Sequence, residues 1–289
     1  MSELKLIELD IKGKKFASRK IRRIKWLLRI LAVLIILACI GLSALLVYNA
    51  LNPKPQQEIP HQTETPIVQT GAEMPEYPEG RADITGLLLA DESMGKKAYL
   101  TFDDGPSENT AALLDVLKAY NIKATFFVTG EAVNKNPDLL VRIHNEGHAI
   151  GNHSNTHVYN NIYDNPDSFW LEVTEAQKIF ENILGAENVQ KLFRFPGGSF
   201  GEKKEQFLPL IESMGYKYVD WNALNGDAEG GDFTAEKAME YIEEQCTDTG
   251  NVIVLMHDAK NKTVTVETLP QIIEYLRSEG YSFDKITVN

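Results

Sequence analysis

Cysteine is close to absent from this chain, with two in 289 residues. Cys39 lies inside an uncharged apolar run, so Cys246 is the only thiol in the rest of the sequence. One thiol cannot form an internal disulfide, so that part must fold on its core alone. Positive charge is also scarce beyond the N-terminal 29 residues. Those residues hold ten Lys and Arg against three acids, which leaves 19 basic against 38 acidic residues in the remainder. A body this acidic is a poor nucleic-acid binder, and no nucleic-acid partner is expected. No internal repeat is visible.

Long apolar runs are likewise missing, with one exception. Residues 30–48 carry no charge and are rich in Leu, Ile, Ala and Val. At 1.5 Å per residue this approaches the ~30 Å hydrocarbon core of a bilayer. The basic residues flank its N-terminal side, so 1–29 is expected in the cytoplasm and everything after Tyr48 outside. The rival, a cleaved signal peptide, would have a shorter apolar core and a small-x-small cleavage site. The run is therefore read as a single uncleaved transmembrane helix. Residues 49–80 follow, with Pro53, Pro55, Pro60, Pro66, Pro75 and Pro78 among Gln, Thr and Glu. That composition predicts a stiff, solvated linker. The expected organisation is a basic segment (1–29), a membrane span (30–48), a Pro-rich linker (49–80) and an outward domain (81–289).

The outward domain alternates strand-like and helix-like segments. Strands are expected at 98–100, 124–128, 149–152, 192–195, 218–221 and 252–256. Helices are expected at 111–120, 137–145, 167–184, 202–214, 234–245 and 265–279. Repeated β-α units favour a parallel sheet, and about seven of them in ~200 residues predict an α/β fold, a closed or nearly closed, distorted (β/α) barrel of about seven strands. In such barrels the strand ends carry the chemistry.

Polar residues gather at those ends: Asp103-Asp104, then His153 and His157, Arg194, Asp227, and His257-Asp258. Two adjacent carboxylates resist joint ionisation unless a cation lies between them, so the Asp pair asks for a metal or a basic partner. His153 and His157 are four apart, a spacing that one helical turn would place on one side. With Asp104 they make two imidazoles and one carboxylate, which leaves open positions as in a catalytic zinc site. His144 and His148 share that spacing, but Gly147 interrupts them and they precede their strand, so His148 is read as a structural hydrogen-bonder. Phe126, Phe127 and Phe195 are read as core, Trp170 and Trp221 as packing, and Asp258 as a cap on the following loop.

Five segments in order, Thr101-Phe102-Asp103-Asp104-Gly105-Pro106, His153-Ser-x-x-His157, Arg194-x-Pro196, Trp221-Asn…Gly226-Asp227 and Leu255-Met256-His257, resemble the motifs of the polysaccharide deacetylases. This family is carbohydrate esterase family four, the NodB-homology domain, and the resemblance runs from about residue 97 to 289. It implies a metal, usually Zn2+ with Co2+ as an alternative, on Asp104, His153 and His157. It implies Asp103 as general base, Arg194 as its orienting partner, His257 as general acid and Asp227 as the residue tuning that acid, with Asp220 a rival for the last role. Gly197 would offer a backbone N–H to the oxyanion, and Leu255 would line the acetyl-methyl pocket, with Trp221 a further substrate contact. The chain departs from the family at Gly197, where Tyr or Phe is usual, at Leu224, where an Asp is usual, and at Ala228, where a Trp is usual.

The resemblance and the span together predict a membrane-anchored hydrolase that removes N-acetyl groups from cell-wall glycan, most simply N-acetylglucosamine of peptidoglycan. Another polysaccharide, a chitin-like oligomer or an O-acetyl ester is the competing substrate. A non-catalytic glycan-binding protein is the competing class. Oligomeric state is left open.

Overall fold

The computed structural model describes residues 82–91, 95–230, 232–247 and 249–288, which fall within one unit, 75–289. The basic segment, the membrane span and the linker lie outside the described residues. Among the described residues no helix is long and apolar enough to cross a membrane.

Eight strands form one sheet: β1 (Lys97–Asp103), β2 (Thr125–Val128), β3 (Ala149–Asn152), β4 (Leu192–Phe193), β5 (Lys217–Tyr218), β6 (Ala223–Leu224), β7 (Val252–His257) and β8 (Ser282–Asp284). Every pairing is parallel. The order is β5-β4-β3-β2-β1-β7-β6, with β8 beside the start of β1. β7 takes one edge of β1 from Ala98 to Asp103, while β8 and β2 divide the other edge between Lys97–Tyr99 and Thr101–Asp103. Among the described residues no strand pairing joins β5 to β6, so the seven strands make a half-barrel, more open than a fully closed barrel.

Alternation along β1 shows how the sheet separates packing from chemistry. Ala98, Leu100 and Phe102 pack outward with Phe126, Val128, Val254 and Met256 against the helices Thr110–Ala119, Pro137–Asn145 and Thr263–Ser278. Tyr99, Thr101 and Asp103 lie on the opposite, inner face, as the period of two demands. There Tyr99 joins Phe127, Leu192, Val219 and Ile253 in an inner core that Ile84 and Ile286 help to fill. A third cluster, led by Phe169, Phe193, Phe195 and Phe207, packs the long helix Pro166–Leu184 under β4 and β5.

Two expectations need correction. The helix expected at 202–214 is two short helices, Glu202–Glu205 and Leu208–Ser213. Pro209 stands at the start of the second, where its missing N–H is harmless, but its ring would clash with the carbonyl four residues back in a continuous helix. The strand expected at 218–221 ends at Tyr218, and a further two-residue strand follows at Ala223–Leu224.

The end of the segment before β1 is held by the Asn251 side chain, while its start bonds to Tyr218 and Asp220. Asn251 accepts from Lys97 N (2.8 Å) and donates to the carbonyls of Leu88 (2.9 Å) and Asp91 (2.6 Å). Buried acceptors left without donors cost about 1–3 kcal/mol each. Asn251→Ala is expected to destabilise the fold by about 3 kcal/mol in urea denaturation. A change near zero would show that this linkage contributes nothing.

Candidate active site and metal centre

The site is assembled at the C-terminal ends of β1, β2, β3, β4 and β7. Asp103 is the last residue of β1 and points into the half-barrel, 2% exposed. Asp104 would point the opposite way on a continuing strand. Its φ of 73° turns the chain instead, which brings both carboxylates to one side. Asp tolerates this left-handed region better than most residues. Ser154 (φ 70°) and His157 (φ 58°) share that conformation, so three of the four non-glycine residues of this kind among the described residues fall in two loops of one site. Backbone strain gathered this way is a mark of functional loops.

His153 and His157 do meet Asp104, but not through a helical turn. The 153–158 segment is a loop. It is stitched to the start of the helix Gly130–Lys135, which follows β2, by Gly130 N to Ser154 O (3.1 Å) and Glu131 N to Asn155 O (2.9 Å). Glu172, from the helix Pro166–Leu184, clamps it from below. Its carboxylate accepts from Asn155 N (3.0 Å), Thr156 N (2.8 Å) and Thr156 Oγ1 (2.8 Å).

The resulting geometry suits a cation. His157 Nε2 lies 3.3 Å and His153 Nε2 3.6 Å from Asp104 Oδ1. One ligand atom from each of the three residues lies within 4.8 Å of the others. Asp104 Oδ1 is buried and accepts no hydrogen bond, an expensive condition for a carboxylate oxygen without a partner. His153 Nδ1–H donates to the Arg194 carbonyl at 2.8 Å, which fixes the tautomer and aims the Nε2 lone pair at Asp104. Burial holds the His153 pKa down, to about 3, so the ring is neutral, as a ligand must be. These residues fit a divalent metal.

Beside them, Arg194 is fully buried. Its Nη1 donates to Asp103 Oδ1 (3.0 Å) and Thr101 Oγ1 (2.6 Å), Nε to Val219 O (3.1 Å) and Nη2 to Asp220 O (3.2 Å). Its plane also lies 4.1 Å from the Phe127 ring centre. Asp103 Oδ1 is thus held, while Oδ2 faces His153 Nε2 at 3.7 Å. Burial pushes the Asp103 carboxyl up from its ordinary value, against the opposing pull of Arg194 and His257.

His257 ends β7 across from Asp103. Its Nδ1–H donates to Asp227 Oδ1 (2.6 Å) and its backbone N–H to Oδ2 (2.9 Å), which also accepts from Thr265 Oγ1 (2.8 Å). For Asp227, burial pushes upward but the His257 hydrogen bond and charge prevail, and its pKa is lowered. For His257, burial pushes downward but Asp227 prevails, and its pKa is raised. Asp220 is not its partner. That carboxylate accepts from Ser199 N (2.9 Å) and Ser199 Oγ (2.5 Å) and pins the loop after β4. Leu255 lies one inward position before His257 and is nearly buried. Trp221 is half-buried and meets Phe200 edge-on at 5.7 Å. A groove of about 490 Å³ leads from Asp104 and His157 past Ser107, Glu131, Asn136 and Lys260.

His144 and His148 are not part of this cluster; His148 Nδ1 accepts from Ala124 N at 3.1 Å. Asp258 accepts from Thr110 Oγ1 (2.6 Å) and Ser107 Oγ (3.5 Å), so it fixes the loop after β1 rather than capping its own. Phe126, Phe127 and Phe195 are core, whereas Trp170 is 44% exposed rather than packed. Sequence reasoning missed Glu172, although a carboxylate within the buried stripe Phe169, Val173 and Ala176 was a usable signal. It also missed Thr265, Tyr159, Tyr163 and Lys204, whose partners are far away in sequence.

A profile described as "Polysaccharide deacetylase" matches residues 90–219. A peptidoglycan-N-acetylglucosamine deacetylase of Bacillus cereus is 31% identical over 259 residues, covering 89% of this chain and 90% of the relative. The chain belongs to the polysaccharide deacetylase family. The putative polysaccharide deacetylase YheN of Bacillus subtilis is 36% identical over 201 residues, covering 68% of this chain and 69% of the relative. Among solved structures, the catalytic domain of a peptidoglycan N-acetylglucosamine deacetylase from Eubacterium rectale matches with a TM-score of 0.60 at 33% identity, covering 67% of this chain and 90% of that one. A Streptococcus mutans CE4 esterase matches equally well at 34% identity, covering 67% and 87%. The family is one of metal-dependent deacetylases, which agrees with the donor set found here.

The His257–Asp227 pair makes stability depend on pH in two ways. The raised His257 pKa contributes stability that is full below the unfolded value of ~6.5 and is lost as pH rises through the folded value. The lowered Asp227 pKa contributes stability present above ~3.9 and lost as pH falls through the folded value. Asp227→Asn is expected to lower the His257 pKa, read by NMR titration of its ring protons. An unchanged titration would remove Asp227 from the tuning role.

Proposed function

We propose that this protein is a zinc-dependent N-deacetylase acting on N-acetylglucosamine of peptidoglycan. The observation that carries the reading is the convergence at one strand-end site of a buried, unpartnered Asp104 oxygen between two imidazoles, an Arg-held carboxylate and a carboxylate-held imidazole. The printed activities of the Bacillus cereus and Eubacterium rectale relatives support the substrate. The membrane placement rests on residues 30–48 and their basic flank, which would hold the domain outside the cell, beside the wall. The Bacillus cereus match, at 259 residues, is longer than the domain itself and so takes in part of the preceding sequence.

Asp104, His153 and His157 would hold the cation. When bound, it would polarise the acetyl carbonyl and acidify a water molecule, as a Lewis acid does. Asp103 takes the proton of the attacking water on Oδ2, since Arg194 occupies Oδ1. Its raised pKa makes it a stronger base than an exposed carboxylate. Negative charge then grows on the acetyl oxygen, for which the Gly197 N–H is available as a donor, since among the described residues no acceptor takes it. His257 holds a proton on Nε2 because Nδ1 is committed to Asp227. It passes that proton to the sugar nitrogen as the C–N bond breaks, leaving acetate and a free amine. Leu255 would line the space for the acetyl methyl, and Trp221 would be a further substrate contact. A purely glycan-binding role fits less well, because residues suited to act as base, acid and ligands converge on one site.

Asp103→Asn is expected to retain zinc while acetate release from N-acetylglucosamine oligomers or peptidoglycan falls roughly 10²- to 10⁴-fold. Asp104→Ala is expected to lose the metal as well. Near-normal turnover in Asp103→Asn would remove it as the base. No acetate from any glycan by zinc-loaded protein would refute the deacetylase reading.

A further inference from the structure

Gly197 stands where the family usually carries an aromatic side chain, and the space is not left open. A Cβ built on Gly197 would lie 2.4 Å from the Tyr159 hydroxyl and 3.3 Å from Lys204 Nζ. With φ at 72° the position is left-handed, which favours glycine, and a side chain here would have to displace the ends of Tyr159 and Lys204. The absence of a side chain at 197 therefore admits two others, from the short helix Tyr159–Ile162 that follows His157 and from the short helix Glu202–Glu205.

Lys204 Nζ donates to the carbonyls of Pro196 (2.8 Å) and Gly198 (2.5 Å). Tyr163 Oη donates to the same Pro196 carbonyl at 2.9 Å. The Tyr163 ring centre is 4.9 Å and the Tyr159 ring centre 5.8 Å from the ammonium. Among the described residues no carboxylate lies within ion-pair distance of Lys204. Its charge is directed at peptide carbonyls and aromatic faces, in a half-buried setting where it is poorly screened.

Pro196 O and Gly197 N belong to one peptide group. Two donors on its oxygen, one of them cationic, draw electron density from the nitrogen and strengthen the N–H as a donor. We infer that Lys204, with Tyr163, is a positioning residue for the reaction: it polarises the Pro196–Gly197 peptide and thereby strengthens the N–H that meets the acetyl oxyanion. This rests on the deacetylase reading above. No proton leaves Lys204 in the step. As the carbonyl π pair moves onto oxygen, the growing negative charge is met by an N–H whose far end is held by a fixed positive charge.

The test uses the zinc-loaded protein with N-acetyl and N-trifluoroacetyl glucosamine oligomers. Fluorine stabilises the oxyanion itself, so a defect in oxyanion stabilisation shrinks on that substrate. Losing a direct oxyanion donor costs about 10²- to 10³-fold in kcat, and loss of its polarisation should cost less. Lys204→Met is expected to lower kcat on the acetyl substrate about tenfold, with KM within about twofold. The loss should shrink on the trifluoroacetyl substrate, with Lys204→Arg partly restoring the rate. Independently of turnover, the Gly197 amide proton is expected to move upfield in the ¹H–¹⁵N spectrum of Lys204→Met. Equal losses on both substrates, an unchanged kcat or an unmoved Gly197 amide would overturn the inference. A wild-type protein that releases neither acyl group, yet shows the amide shift, would refute the deacetylase reading and leave the polarisation standing.

Discussion

The Arg194 guanidinium is the interaction on which the rest of the site depends. A charge buried this completely is tolerated only when paired and hydrogen-bonded. Its partners come from β1 and from the residues just after β5, while the Arg194 carbonyl orients His153. One residue therefore holds Asp103, ties the half-barrel together across its inner face, and fixes the tautomer of His153. Thr101 extends the chain of contacts, accepting from Arg194 and donating to Val254 O at 2.7 Å. Replacing the pair by apolar residues could keep a fold, but not the oxygen that faces His153.

Electrostatic roles are separated by what each carboxylate touches. Asp103 is held by a cation that cannot lose its proton, so it remains an acceptor. Asp227 is held by an imidazole that can, so that pair has a proton to give. Asp220 and Asp258 are spent on loops, one by Ser199 and the other by Thr110 and Ser107. Of these five carboxylates, Asp104 is the one recorded with a buried oxygen that accepts no hydrogen bond. Four environments thus give five carboxylates different work within one end of the sheet.

The sheet's alternation and the pairing of His153 with His157 were legible in the sequence because both depend on local pattern, apolar runs before polar strand ends and two histidines four apart, whereas Asp104 joined them through its place at another strand end. What was not legible depends on distance or on brevity. β6 is two residues long, too short for any period to show. The His153–His157 spacing implied a helical turn, yet left-handed residues and the Glu172 clamp bring the rings together in a loop. The departure at Gly197 was visible as a loss, but its compensation by Tyr159 and Lys204 was not. A lysine on a four-residue helix reads as a solvated surface charge until the fold places it over the Pro196 carbonyl.

The central claim is that Asp104, His153 and His157 bind one cation next to Asp103. X-ray absorption at the zinc edge of the zinc-loaded protein tests it most directly. The account predicts two imidazole nitrogens at about 2.0–2.1 Å and carboxylate oxygen at about 2.0–2.2 Å, lost in His153→Ala. Sulfur in the coordination shell, or a spectrum unchanged by His153→Ala, would place the metal elsewhere and contradict the account.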